Sequence, residues 1–188
     1  MKKKATKKIE KIVNPADHLV EGLKKRLGSR NVNALPKFRK VVINTGIGKL
    51  RKDKAKVEAV ERDLTIITGQ KPAPTQAKKS IATFTLRQGE KIGYKVTLRQ
   101  KRMFDFLTRL AKIALPRTRD FQGLSDKSFD GQGNFTLGIK EQTIFPEINP
   151  EEAINLFGFE VVINTTATNN ADAKALMEEF GFPFNKKG

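Results

Sequence analysis

Two short stretches carry residue types and spacings from which chemistry can be built. The first is NTGIGKLRKDKAKVEAV, residues 44–60, where a strand-like lead, two glycines and a helical continuation follow the order of a dinucleotide-binding fingerprint. The third glycine of that motif lets the helix pack closely on the strand, and Arg51 stands in its place here. No Ser or Thr follows Lys49, which excludes a GxxxxGK[ST] phosphate loop as well. Gly46 and Gly48 still leave an open backbone, which is either a tight turn or a surface that a phosphate can approach; both readings stand. The second stretch is DKSFDGQGNFTL, residues 126–137, which puts Asp126, Ser128, Asp130, Gly131 and Asn134 at calcium-loop positions. Its twelfth position is Leu137 where a bidentate Glu is required, and the residues that follow read as a strand rather than a helix, so calcium is not expected.

Catalytic groups are scarce. His18 is the only histidine and has no nucleophile at a recognisable spacing. The pairs Glu151–Glu152 and Glu178–Glu179 fall where helix caps and solvated helix faces place carboxylates. With no cysteine there is no disulfide framework, thiolate metal site or cysteine nucleophile, and a reducing, cytoplasmic compartment fits best. A non-enzymatic protein without metal or cofactor is expected.

Charge points elsewhere. The 188 residues carry a net charge of +17, and an excess of that size calls for a polyanionic partner. Its distribution is uneven: residues 1–119 hold 32 Lys and Arg against 9 Asp and Glu, whereas residues 120–188 hold 5 against 11. One part of the molecule is built to meet phosphates, and the other faces solvent or a basic protein. The opening MKKKATKKIEKIV has too short an apolar run for a signal segment and reads as a flexible basic arm over 1–13, either solubilising or RNA-touching. No apolar run approaches the roughly 20 residues that cross a bilayer.

The elements that must position these groups follow from periodicity. A first helix starts at Asn14 as cap with Pro15 at its first position and stops near Gly28, with Leu19, Leu23 and Leu27 on one stripe. FRKVVINT, 38–45, is a strand. A second helix carries Val57, Val60, Leu64 and Ile67 at spacings of three and four and closes at Gly69. IATFTLR, 81–87, and IGYKVTLR, 92–99, alternate around QGE and predict a hairpin. A third helix is expected over 101–115, ending before Pro116, and 116–135 reads as a long surface loop. Strands are expected at 134–140 and 159–166, with a short helical turn near 150–157 capped by Asn149, Pro150 and Glu152, and a last helix spans 171–180. The implied class is α+β: a mostly antiparallel sheet with helices on one face and the other face free to bind, in a single domain over 14–188.

Between Gly69 and Arg102 lie nine Lys and Arg and one Glu, set on a loop and strands rather than on one helix. Such a surface suits the backbone of a structured RNA, which is recognised by shape and 2′-hydroxyl contacts. Tyr94 is the only tyrosine and tryptophan is absent, so base stacking would depend on phenylalanines.

The runs LTIITGQKPAPTQAKKS (64–80), LRQGEKIGYKVTLR (86–99) and RDFQGLSDKSFDGQGNFTLGIKEQTIFPEI (119–148), in that order, resemble the large-subunit ribosomal protein five family in its bacterial form. The likeness spans roughly 36–184 and leaves the lysine-rich first 35 residues only loosely similar. It implies a ribosomal constituent that binds 5S rRNA and attaches it in the central protuberance, beside 23S rRNA and neighbouring ribosomal proteins. It further implies contact with P-site tRNA and a bridge to small-subunit ribosomal protein thirteen. Carried over residue by residue, the resemblance gives Asn44, Thr45, Gly46, Gly48, Gln70, Lys71, Thr97 and Arg99 to 5S rRNA. It gives Ala77, Lys78, Lys79 and Ser80 to tRNA, and Arg117, Arg119, Phe121 and Phe135 to the intersubunit bridge. Two rivals remain. A nucleotide-dependent enzyme would bind ATP or NAD near Gly46 to Lys49, and an anionic-membrane binder would need a basic amphipathic helix where this chain puts its charge on strands.

Overall fold

Inward apolar and outward polar residues alternate along the strands, and this period of two builds the sheet on which every other element is mounted. The computed structural model describes residues 15–28, 31–48, 50–51, 53–119, 121–151 and 154–185. The basic arm over 1–13, the expected caps Asn14 and Glu152, and the side chain of His18 lie outside the described residues. Strand β1 (Phe38–Gly46) turns Val41, Ile43 and Thr45 inward and leaves Asn44 and Gly46 exposed. Strands β2 (Ala73–Gln76), β3 (Lys91–Leu98), β4 (Phe135–Ile139) and β5 (Phe159–Thr165) join it in the order β2-β3-β1-β5-β4, with every neighbour antiparallel.

Among the described residues, four α-helices accompany the sheet. Helix α2 (Lys54–Thr68) begins where the Asp53 carboxylate accepts from the Lys56 backbone N–H at 3.3 Å, and ends at Gly69, whose φ of +65° is the left-handed cap that glycine adopts without strain. Its buried Val60, Leu64 and Ile67 join one core with Val41, Ile43, Val96, Leu98, Val161 and Ile163 of the sheet. Full burial of each such side chain stabilises the fold by about 1.5–3 kcal/mol. Helix α3 (Gln100–Arg109) adds Met103, Phe106 and Leu107. Helices α1 (Pro15–Leu27) and α4 (Asn170–Phe180) pack on each other, with Leu19 and Leu23 in the same core as Ala175 and Leu176, and Arg26 ion-paired with Glu178. Among the described residues no helix is long and apolar enough to cross a membrane.

Three expectations need correction. Residues 81–87 are not a strand: Ala82–Phe84 form a 3₁₀ turn closed by a bridge between Ile81 and Leu86 of the same segment, and among the described residues this segment does not pair with 92–99. On the side away from β1, β3 pairs with β2, the proline-bearing APTQ segment, with Pro74 opposite Tyr94. Strand β2 pairs on one side only, and an edge strand tolerates the N–H that proline lacks. The third helix changes its hydrogen bonding near its end, passing into a π turn at Leu110–Ala114 and a 3₁₀ turn at Leu115–Arg117 around Pro116. No helix forms among the described residues of 150–157; a 3₁₀ turn occurs earlier, at Gln142–Ile144. Buried Gln142 holds this region, its amide nitrogen donating to the Asn155 carbonyl at 2.6 Å and its oxygen accepting from Phe157 N–H at 2.9 Å.

Candidate nucleic-acid interface

The register of the strands sets the composition of the face that the core leaves uncovered. One row runs Gly138, Glu160, Asn44, Lys95, Ala73 across all five strands. The next runs Thr136, Val162, Val42, Thr97, and a third joins Gly46, Gly93 and Thr75. Four inter-strand steps of about 4.8 Å make this platform about 19 Å wide. Lys91 and Lys95 stand exposed on β3, Lys40 is half-buried on β1, and Arg99 is exposed where β3 passes into α3. Among the described residues, none of these four cations forms an ion pair, although the charge of Lys91 also bears on Glu61.

Glycines in this surface divide into two kinds. A Cβ on Gly93 would lie 2.5 Å from the Thr45 carbonyl oxygen, so the protein's own packing requires glycine there. A Cβ on Gly46 or Gly48 would meet nothing within 4 Å, and neither has a positive φ. These two leave space that an outside molecule can fill, as glycine does where another backbone approaches closely.

Asn44, Gly46 and Gly48 are exposed, and half-buried Thr97 shares the uncovered face with Asn44. Thr45 alternates to the other side, is 2% exposed and donates its hydroxyl to the Gly158 carbonyl at 2.7 Å. Its side chain is therefore committed inside, as the period of two dictates. Gln70 and Lys71 follow the cap of α2; Gln70 Oε1 accepts from Arg102 Nη1 at 3.4 Å, and Lys71 lies 3.3 Å from Glu61. Glu61 also accepts from the Tyr94 hydroxyl at 3.0 Å. That bond and Lys71 hold Glu61 below the usual carboxylate range. Burial, reinforced by the bond to Glu61, pushes the Tyr94 hydroxyl up to about 12.

Between β2 and β3 the chain projects as a loop. Ala77 is 5% exposed and closes its base, donating N–H to the Glu90 carbonyl and accepting from Gly89 N–H, both at 2.9 Å. Ala77 thus sets the loop's exit, and its methyl is covered. Lys78, Lys79 and Ser80 are exposed, with Ser80 Oγ accepting from Gln88 N–H at 3.0 Å. Phe84, beyond them, is 66% exposed. As one residue of an alternating strand it gives no sign of this; an isolated aromatic among small and polar residues of a loop is the signal.

Arg117, Arg119 and Phe121 come together in a groove of about 760 Å³, which Lys140 and Glu141 also line. The groove's lining is more basic than acidic, although most of it comes from the acidic part of the chain. Phe135 does not join it: it is 1% exposed, packed on Phe129 and Phe184 at ring separations of 4.8 and 5.8 Å. The ring supports the groove's neighbourhood from within the core. In the stretch with calcium-loop spacing, Asp130 accepts from Gln132 N–H, Asn134 N–H and the Asn134 amide, the geometry of a self-contained turn. Among the described residues no group of three or more His, Asp or Glu is placed to hold a metal.

Comparison with known proteins bears on this geometry. Residues 31–87 match the family model for ribosomal protein L5, and residues 91–184 match the model for the C-terminus of the same ribosomal family. Similar proteins include the large ribosomal subunit protein uL5 of Mesoplasma florum, 51% identical over 170 residues, covering 90% of this chain and 94% of the relative. That of Clostridium kluyveri is 49% identical over 180 residues, 96% of each chain. That of Dichelobacter nodosus is 49% identical over 168 residues, covering 89% of this chain and 94% of the relative.

Proposed function

The chain belongs to the ribosomal protein L5 family and is a non-enzymatic constituent of the large ribosomal subunit, and from that premise we propose that its uncovered sheet face binds 5S rRNA. The observation that carries this reading is the combination on one face of exposed Asn44 and Lys95, adjacent in register, with Gly46, which no internal contact requires. Asn44, Gly46, Gly48, Thr97 and Arg99 meet the RNA, Gln70 and Lys71 extend the contact past the sheet edge, and Thr45 acts by holding β1 against Gly158. These groups suit phosphate, sugar and shape recognition rather than the stacking of single-stranded bases. The exposed loop residues Lys78, Lys79 and Ser80 contact P-site tRNA, and the groove of Arg117, Arg119 and Phe121 meets the small subunit at ribosomal protein thirteen. Contacts to 23S rRNA and neighbouring central-protuberance proteins fall to the remaining basic surface. The arm at 1–13 and one domain over 14–188 complete this reading.

Salt dependence tests it. If several phosphates are held, affinity for 5S rRNA drops on the order of tenfold or more between about 50 and 200 mM salt. A flat titration contradicts phosphate-led binding.

A further inference from the structure

Arg51 occupies the place where a dinucleotide fingerprint would have its third glycine, and its side chain is turned to another use. It is only 12% exposed and points into the loop between β2 and β3. One guanidinium nitrogen, Nη2, donates to the Phe84 carbonyl at 2.5 Å, the Thr85 carbonyl at 2.9 Å and the Thr85 hydroxyl at 2.9 Å. The other, Nη1, lies 3.8 Å from Glu90, whose carboxylate also accepts from Arg87 N–H at 3.1 Å. Thr85 sits at φ +49°, a left-handed conformation that a β-branched residue rarely adopts and that persists only when its surroundings hold it.

The anchor is itself fixed. Leu50 packs against the core and its N–H bonds the Ile47 carbonyl, while Asp53 caps α2 on the other side. The loop, by contrast, has little core of its own: Ile81 and Phe84 are 42% and 66% exposed. The two hydrogens of Nη2 are shared among the two successive carbonyls and the Thr85 hydroxyl while Nη1 turns to Glu90, so one planar group ties the bend to the closing end of the loop.

We propose that Arg51 is a positioning residue that locks the Phe84–Thr85 bend and so keeps the Phe84 ring presented for stacking on an RNA base. The presentation to RNA rests on the assignment of this loop to tRNA made above; the lock does not. It ties the turn after β1 to the projecting loop, so the two RNA-facing segments share one rigid joint.

Hydrogen exchange on the full chain, residue by residue, tests the lock. Arg51→Ala raises exchange at the Ile81, Thr85 and Leu86 amides roughly tenfold, with β1 and β5 unchanged, and Arg51→Lys, which keeps the charge, falls between. Unchanged loop exchange in Arg51→Ala overturns the proposal, as does an equal rise in β1 and β5, which reports general destabilisation. On ribosomes, Arg51→Ala and Phe84→Ala each weaken P-site tRNA retention, and the double variant loses no more than Phe84→Ala alone, because Arg51 acts through that ring. Fully additive losses contradict the positioning role. A loosened loop with unaltered tRNA retention leaves the lock standing and overturns the tRNA assignment instead.

Discussion

Tyr94 and two glycines test single positions. As the only tyrosine, Tyr94 can be titrated by its own absorbance. Its hydroxyl, raised to about 12 by burial and the Glu61 bond, stays neutral in the folded protein near pH 10, where a free tyrosine is half ionised. Because the folded value exceeds the unfolded one, the associated stability is fully present below about pH 10 and is lost as pH rises through the folded value. A midpoint at the ordinary tyrosine value in the folded protein contradicts the burial of the hydroxyl together with its Glu61 bond. The glycines make a matched pair. Gly93→Ala forces a methyl against the Thr45 carbonyl and costs on the order of 1–3 kcal/mol in unfolding free energy. Gly46→Ala meets no atom of the protein, so stability changes by no more than about 0.5 kcal/mol while 5S rRNA affinity falls. Equal loss of stability in the two variants, or unchanged RNA binding in Gly46→Ala, removes the reason given for an open glycine. Legibility differs at this scale. Asn44 and Gly46 can be picked out as residue types, but that Thr45 between them turns inward depends on which face of β1 the helices cover.

The loop between β2 and β3 concentrates what element-level reading gets right and wrong. Charge locates its lysines, whereas alternation alone assigns IATFTLR to a strand. Alternation measures facing only if a partner strand is present, and β3 already pairs with β1 and with β2. Prolines make APTQ look unlike a strand; the position of β2 at the sheet edge, a tertiary fact, is what admits them. Helices are easier to read, since Asp53, Gly69 and Gly181 are local capping signals that need no tertiary context. Changing Lys78 and Lys79 together to Ala weakens tRNA engagement on ribosomes severalfold and leaves 5S rRNA binding nearly intact, because the loop leaves the sheet at Ala77 and carries no residue of the uncovered face. Comparing tRNA retention with 5S rRNA filter binding checks this, and parallel loss of both would show that the loop and the sheet form one surface.

Over the whole molecule, charge and architecture point the same way. The excess of Lys and Arg lies in residues 1–119, which supply β1, β2 and β3, while β4 and β5, which complete the platform, come from the acidic third and bring Glu160 beside Asn44. Composition alone does not reveal that an acidic residue belongs to the same face as the basic ones; chain connectivity crosses the sheet to place it there. The claim on which the rest depends is that this face, rather than the helical side, meets 5S rRNA. Chemical labelling of lysines in the free protein and in its complex with 5S rRNA tests that most directly. Lys40, Lys91 and Lys95 are shielded in the complex while Lys25 of α1 and Lys112 beyond α3 label as before; shielding of Lys25 and Lys112 with the sheet lysines still open would contradict it.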